Sequence, residues 1–102
     1  MRILIVEDDE RIASFMKRGL EAEEYRVDLS SGKSQTLALT KATTYDVIIL
    51  DIFLGPDDGL DICRTLRSHQ VQSIILVMTA KGTEEIEASS KNAGANAYLA
   101  KP

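Results

Sequence analysis

Three short runs of consecutive apolar residues punctuate the chain: Ile3-Leu4-Ile5-Val6, Val47-Ile48-Ile49-Leu50 and Ile74-Ile75-Leu76-Val77-Met78. Each is rich in β-branched residues and bounded by polar ones, the pattern of strands covered on both faces. A fourth segment, Tyr25 to Leu29, alternates instead, with Tyr25, Val27 and Leu29 against Arg26 and Asp28. Alternation suits an edge strand. Residues 97 to 100 read as a short last strand. Between these runs the period becomes helical. Ile12, Phe15, Met16 and Leu20 share one face of a segment that Asp9 can cap. Residues 33 to 43 give a weaker helix, with Leu37 and Leu39 among serines and threonines. Leu60 to Arg67 turns Ile62, Cys63 and Leu66 inward, and Glu84 to Ala93 is closed by Gly94, a favourable helix stop.

Strands near residues 3, 26, 48, 75 and 98 therefore alternate with helices. Alternation at this spacing predicts an α/β fold, a doubly wound five-stranded parallel sheet with helices on both faces. The chain's 102 residues make one domain. Composition agrees: 44% apolar and 27% charged residues is the balance of a globular protein. No apolar run approaches the ~20 residues of a membrane span, and the N-terminus lacks a signal-peptide profile. The single cysteine, Cys63, sits on the inward face of a helix and reads as core. With no internal disulfide possible, the cytoplasm is the expected compartment. The net charge of −4 has one source, the run Glu7-Asp8-Asp9-Glu10; the remaining acids balance the 12 bases. That is not a nucleic-acid-binding surface.

In such folds the functional site lies beyond the carboxyl ends of the strands. Glu7 and Asp8 follow the first strand, Asp51 the third, Thr79 the fourth, and Lys101 and Pro102 the fifth. The fold thus gathers carboxylates, a hydroxyl and an ammonium that are distant in sequence. Two carboxylates ~4 Å apart repel by about 4 kcal/mol at an effective dielectric of 20. A hard divalent cation relieves this, and Mg²⁺ suits a site of one or two carboxylates that also takes a phosphate. A carboxylate beside such an ion and a lysine is set up to attack a phosphoryl group, with the hydroxyl donating to one of its oxygens. Asp9 and Glu10 read more simply as the acidic start of a helix.

The stretches Ile5-Val6-Glu7-Asp8-Asp9, Leu50-Asp51-Ile52-Phe53-Leu54 with Asp58-Gly59, Met78-Thr79-Ala80, and Tyr98-Leu99-Ala100-Lys101-Pro102 stand in order. Their key residues are separated by 44, 28 and 22 positions (Glu7 to Asp51, Asp51 to Thr79, Thr79 to Lys101). In these motifs the chain resembles a response-regulator receiver domain of the CheY-like superfamily over residues 2 to 102. Residues 2 to 29 are most similar to its winged-helix transcriptional branch. The resemblance implies the flavodoxin-like strand order 2-1-3-4-5. It implies Asp51 as the acceptor of a phosphoryl group from a sensor histidine kinase. It further implies Mg²⁺ on Glu7, Asp8, Asp51 and the backbone carbonyl of Phe53. Thr79 and Lys101 would bind the phosphoryl group, and Tyr98 would be the aromatic that moves with Thr79. The Lys101–Pro102 bond would be cis, a form that costs little only before proline. The output implied is control of transcription through another domain, without direct nucleic-acid or membrane contact by this one.

The sequence also departs from the family. The proline usual four residues after the acceptor is displaced, with Gly55 there and Pro56 next, which predicts a shifted, more mobile turn. Glu87, Asn96 and Ala97 replace the charged residues of the branch's usual dimer contacts. The chain ends at Pro102, before the family's fifth helix. Without that helix, apolar surface should be exposed on the sheet face shared with the first helix, inviting a homodimer or a domain swap. Two other functions compete. A haloacid-dehalogenase-type phosphatase also uses an aspartate nucleophile, Mg²⁺, a hydroxyl and a lysine, but needs a second acid two residues after the nucleophile, where this chain has Phe53. A degenerate module that is never phosphorylated would not need the intact acid, hydroxyl and lysine set.

Overall fold

The structure, a computed structural model, describes residues 1–80 and 82–100. Its main strands are β1 (Arg2–Val6), β2 (Arg26–Ser30), β3 (Val47–Asp51), β6 (Ile74–Thr79) and β7 (Ala97–Ala100). They form one parallel sheet in the order β2-β1-β3-β6-β7, which is the expected 2-1-3-4-5 arrangement. The helices are α1 (Glu10–Ala22), α2 (Lys33–Ala42), α3 (Gly59–Ser68) and α4 (Glu84–Asn92). Four helices are thus present among the described residues. A two-residue hairpin, β4 (Phe53–Leu54) with β5 (Asp57–Asp58), replaces the simple turn expected after β3. Gly55, at φ +58°, makes its reversal.

The two faces of the sheet are covered unequally. On one face Leu4, Val6, Ile48, Leu50, Ile75 and Val77 are fully buried beneath α2, α3 and α4, which contribute Leu37, Ile62, Leu66 and Ile86. On the other, Ile3, Ile5 and Val27 are buried under Met16 and Leu20 of α1. Strand register places Ile74 and Leu99 on this second face, beyond α1, where they are 54% and 51% exposed. The expected open apolar face is therefore present. Ile12 and Phe15 of α1 are exposed as well, Phe15 at 72%. Helical periodicity marks an apolar stripe without specifying what covers it.

Local chemistry explains where the helices begin and end. Asp9 caps α1 by accepting from the Arg11 and Ile12 amides, and Asp58 caps α3 through the Leu60 amide. Three helices end alike. Tyr25 N–H donates to Leu20, Val71 to Leu66 and Ala95 to Ser90, each across a left-handed residue: Glu24, Gln70 and Gly94. This is the Schellman arrangement, in which glycine is the usual left-handed residue. Only α4 has it.

Candidate functional site

The N–H of Glu7 donates to the Ser30 carbonyl at 2.9 Å and continues the β1–β2 ladder one step past the strand. Glu7 is 5% exposed, whereas its neighbour Asp8 is exposed. Asp9 is occupied as the cap of α1. Asp51 is the last residue of β3, the strand beside β1, and is 8% exposed. One carboxylate oxygen each from Glu7, Asp8 and Asp51 lies within 4.8 Å of the others. At that separation each pair of charges repels by about 3–4 kcal/mol at an effective dielectric of 20. Two of the three carboxylates are largely cut off from water, so the cluster can hold a hard divalent cation with oxygen ligands.

Local geometry fixes the acceptor position. Asp51 Oδ1 accepts the Phe53 N–H at 3.1 Å, which turns the chain out of the strand. Ile52 N–H still reaches the Met78 carbonyl at 3.2 Å, and Gly59 N–H donates to the Ile52 carbonyl at 2.9 Å. Thus α3 begins directly against the end of β3. The β4–β5 hairpin rises beside the acids: a Cβ on Gly55 would stand 3.2 Å from Asp8 Oδ2. Phe53 is 52% exposed at its base. Thr79 ends β6, the next strand over, and is fully buried. Tyr98 lies on β7, half-buried against the core under α2–α4. The structure therefore gathers Glu7, Asp8 and Asp51, and sets Thr79 at the same end of the adjoining strand. Lys101 and the Lys101–Pro102 bond lie outside the described residues.

Some residues near this end had no local sequence signal for the contacts they make. Asp57 Oδ2 accepts the Lys33 N–H at 2.8 Å, so a residue of β5 caps α2. Lys33 in turn pairs with Asp61 at 2.6 Å, and this ammonium holds the Asp61 carboxyl below its ordinary value. Asp57 and Asp58 are thus structural, as a turn and helix start require. His69 is exposed and caps the C-terminus of α3. A groove lined by Leu37, Lys41, His69 and Val71 adjoins Tyr45 and Asp46, which precede β3. That is the opposite end of the sheet from the acids.

Residues 3–102 match the family model for the response regulator receiver domain. This chain belongs to that family. Among curated relatives, the response regulator ArlR of Staphylococcus saprophyticus is 39% identical over 101 residues, covering 99% of this chain and 46% of that protein. The transcriptional regulatory protein CusR of Escherichia coli K12 is 39% identical over 102 residues, covering 100% and 45% respectively. The receiver chain thus spans about half the length of these relatives. A response regulator from Burkholderia pseudomallei, solved with a phosphorylated aspartic acid, calcium and citrate, is 34% identical with a TM-score of 0.94. That match covers 99% of this chain and 59% of the other. Relatives that are transcriptional regulators agree with the resemblance of residues 2 to 29 to the winged-helix branch. The signalling reading is favoured over the phosphatase and degenerate-module alternatives. No helix among the described residues is long and apolar enough to cross a membrane.

Proposed function

We propose that Asp51 accepts a phosphoryl group from the phosphohistidine of a sensor histidine kinase, and that the domain then changes shape to control a transcriptional output. The observation that carries this reading is the convergence of the Glu7, Asp8 and Asp51 carboxylates within 4.8 Å. The phosphorylated aspartate and divalent ion of the Burkholderia relative support it. Glu7, Asp8 and Asp51, with the Phe53 carbonyl, would hold Mg²⁺. Bound there, the ion supplies charge neutralisation for the carboxylates and the transferring phosphoryl group.

An Asp51 carboxylate oxygen forms a bond to phosphorus while the phosphorus–nitrogen bond to the donor imidazole breaks. The bonding pair returns to the imidazole, which takes up a proton from solvent. Thr79 donates its hydroxyl to a phosphoryl oxygen and Lys101 pairs with another. Tyr98 follows Thr79. Phe53, two residues beyond the acceptor, offers no group for proton transfer. Hydrolysis is therefore slow, and the domain stores a signal rather than turning over as an enzyme. A kinase donor and a transcriptional output place this domain, residues 1–102, in the cytoplasm.

The test is transfer from an autophosphorylated histidine kinase, followed by decay of the acid-stable, base-labile label. The expected result is Mg²⁺-dependent labelling that persists for many seconds and is lost in Glu7→Gln/Asp8→Asn. Decay within a second, or labelling indifferent to Mg²⁺, contradicts the proposal.

A further inference from the structure

Tyr98 lies on β7 with its side chain on the face covered by α2, α3 and α4, packed against the main core. Its hydroxyl oxygen is buried and has no hydrogen-bond partner among the described residues. A buried hydroxyl without a partner is a cost, offset here only by burial of the ring. The alternative position, with the ring swung out, restores hydrogen bonds to water but exposes apolar surface.

The wall against the hydroxyl is Gly82, three residues beyond Thr79 in the loop between β6 and α4. A Cβ on Gly82 would overlap the Tyr98 hydroxyl and stand 3.3 Å from Tyr98 Cζ and 3.1 Å from the Ala100 Cβ. Gly82 is exposed and does not have the left-handed backbone that demands glycine. Neither core packing nor backbone conformation calls for glycine here. Space for the Tyr98 hydroxyl does.

We infer that Gly82 is the positioning residue that admits Tyr98 to its inward site, so that any side chain at position 82 holds the tyrosine outward and uncouples it from Asp51. The inference rests on the switch reading proposed above, but its steric part stands without phosphorylation. A methyl group at position 82 meets the tip of the tyrosine, so relief comes most cheaply from rotating the ring away. Removing the hydroxyl opens the same space from the other side.

The experiment uses the protein labelled with 3-fluorotyrosine, which reports its three tyrosines as separate ¹⁹F resonances, assigned with Tyr25→Phe and Tyr45→Phe. A soluble paramagnetic agent measures the exposure of each. Gly82→Ala is expected to increase relaxation of the Tyr98 resonance several-fold and leave Tyr45 unchanged. Equal protection of Tyr98 in both proteins overturns the inference. Adding Tyr98→Phe is expected to cancel most of any stability lost in Gly82→Ala. An equal loss in that background shows that the glycine serves the loop path instead, and also overturns it. With phosphodonor, wild-type Tyr98 should become more protected, while Gly82→Ala is modified at Asp51 without that change. A Tyr98 resonance that responds to Gly82→Ala but not to phosphodonor leaves the steric inference standing and removes the switch reading.

Discussion

Gly59 presses against the backbone of Asp51: a Cβ at position 59 would collide with the Asp51 carbonyl oxygen and stand 2.6 Å from Ile52 Cα. Backbone cannot give way as the end of a flexible side chain can. Gly59→Ala therefore moves α3 or the end of β3, at a cost of about 1–3 kcal/mol. Because the displaced strand end carries Asp51, the phosphorylation rate should fall together with stability. Chemical denaturation and phosphodonor kinetics on the same variant check this. Unchanged values in both would mean that α3 can retreat freely.

Capping of α2 by Asp57 ties the β4–β5 hairpin to the first turn of that helix. Asp57→Ala leaves the Lys33 amide without its acceptor and should cost about 1–2 kcal/mol, within the usual range for a lost cap. Asp57→Asn, which keeps an acceptor oxygen, should recover most of it. Urea midpoints of the two variants make the comparison.

Arg67 joins α3 to two loops, the one before β6 and the one before β7. Its guanidinium donates to the carbonyls of Gly94, Val71 and Ser73, and to Asn96 Oδ1 at 2.6 Å. The same Asn96 oxygen accepts the Ile75 amide at 2.9 Å, so this residue, where the branch places a charged dimer contact, is engaged within the fold. Arg67→Lys keeps the charge but cannot span these acceptors. We expect Arg67→Ala and Arg67→Lys to destabilise by about 2–4 and 1–3 kcal/mol respectively, measured by thermal unfolding.

Glu24 and Gln70 hold left-handed backbone, at φ 69° and 62°, where glycine is unstrained. Glu24→Gly and Gln70→Gly should each change stability by less than a typical helix glycine costs, and should stabilise by up to about 1 kcal/mol. Two destabilising results would mean that the side chains contribute more than the backbone loses.

Tyr45 donates to Asp28 at 2.6 Å, and burial together with that carboxylate pushes its hydroxyl up to about 12 from an ordinary 10.0. The neutral form is favoured by folding. Its contribution is complete below pH about 10 and disappears as pH rises through about 12. Stability of the wild type should therefore fall across that window by on the order of 2 kcal/mol more than that of Tyr45→Phe. Denaturation at pH steps on both proteins gives the difference.

The sheet was legible because Ile3 to Val6, Val47 to Leu50 and Ile74 to Met78 are continuous apolar runs, although only the first is buried along its whole length and Ile74 is exposed. The acids were legible because a parallel sheet brings strand ends together. Phe53–Leu54 and Asp57–Asp58 were not read as strands, since two residues carry no period. Asp57 caps a helix 24 positions earlier, and no local motif encodes so distant a contact. Glu24 and Gln70 lack the glycine that announces a helix stop. Tyr45 stands alone among threonines, so its burial became visible only with Asp28 and Ser73 beside it; Ser73 donates to the Tyr45 carbonyl at 2.6 Å.

Treatment of the purified protein with a small phosphodonor such as phosphoramidate and Mg²⁺, read by intact mass, tests the central claim most directly. The account predicts addition of one phosphoryl group, absent with a chelator and absent in Asp51→Asn. An Asp51→Asn protein that still gains the group, or a wild type that never does, would contradict it.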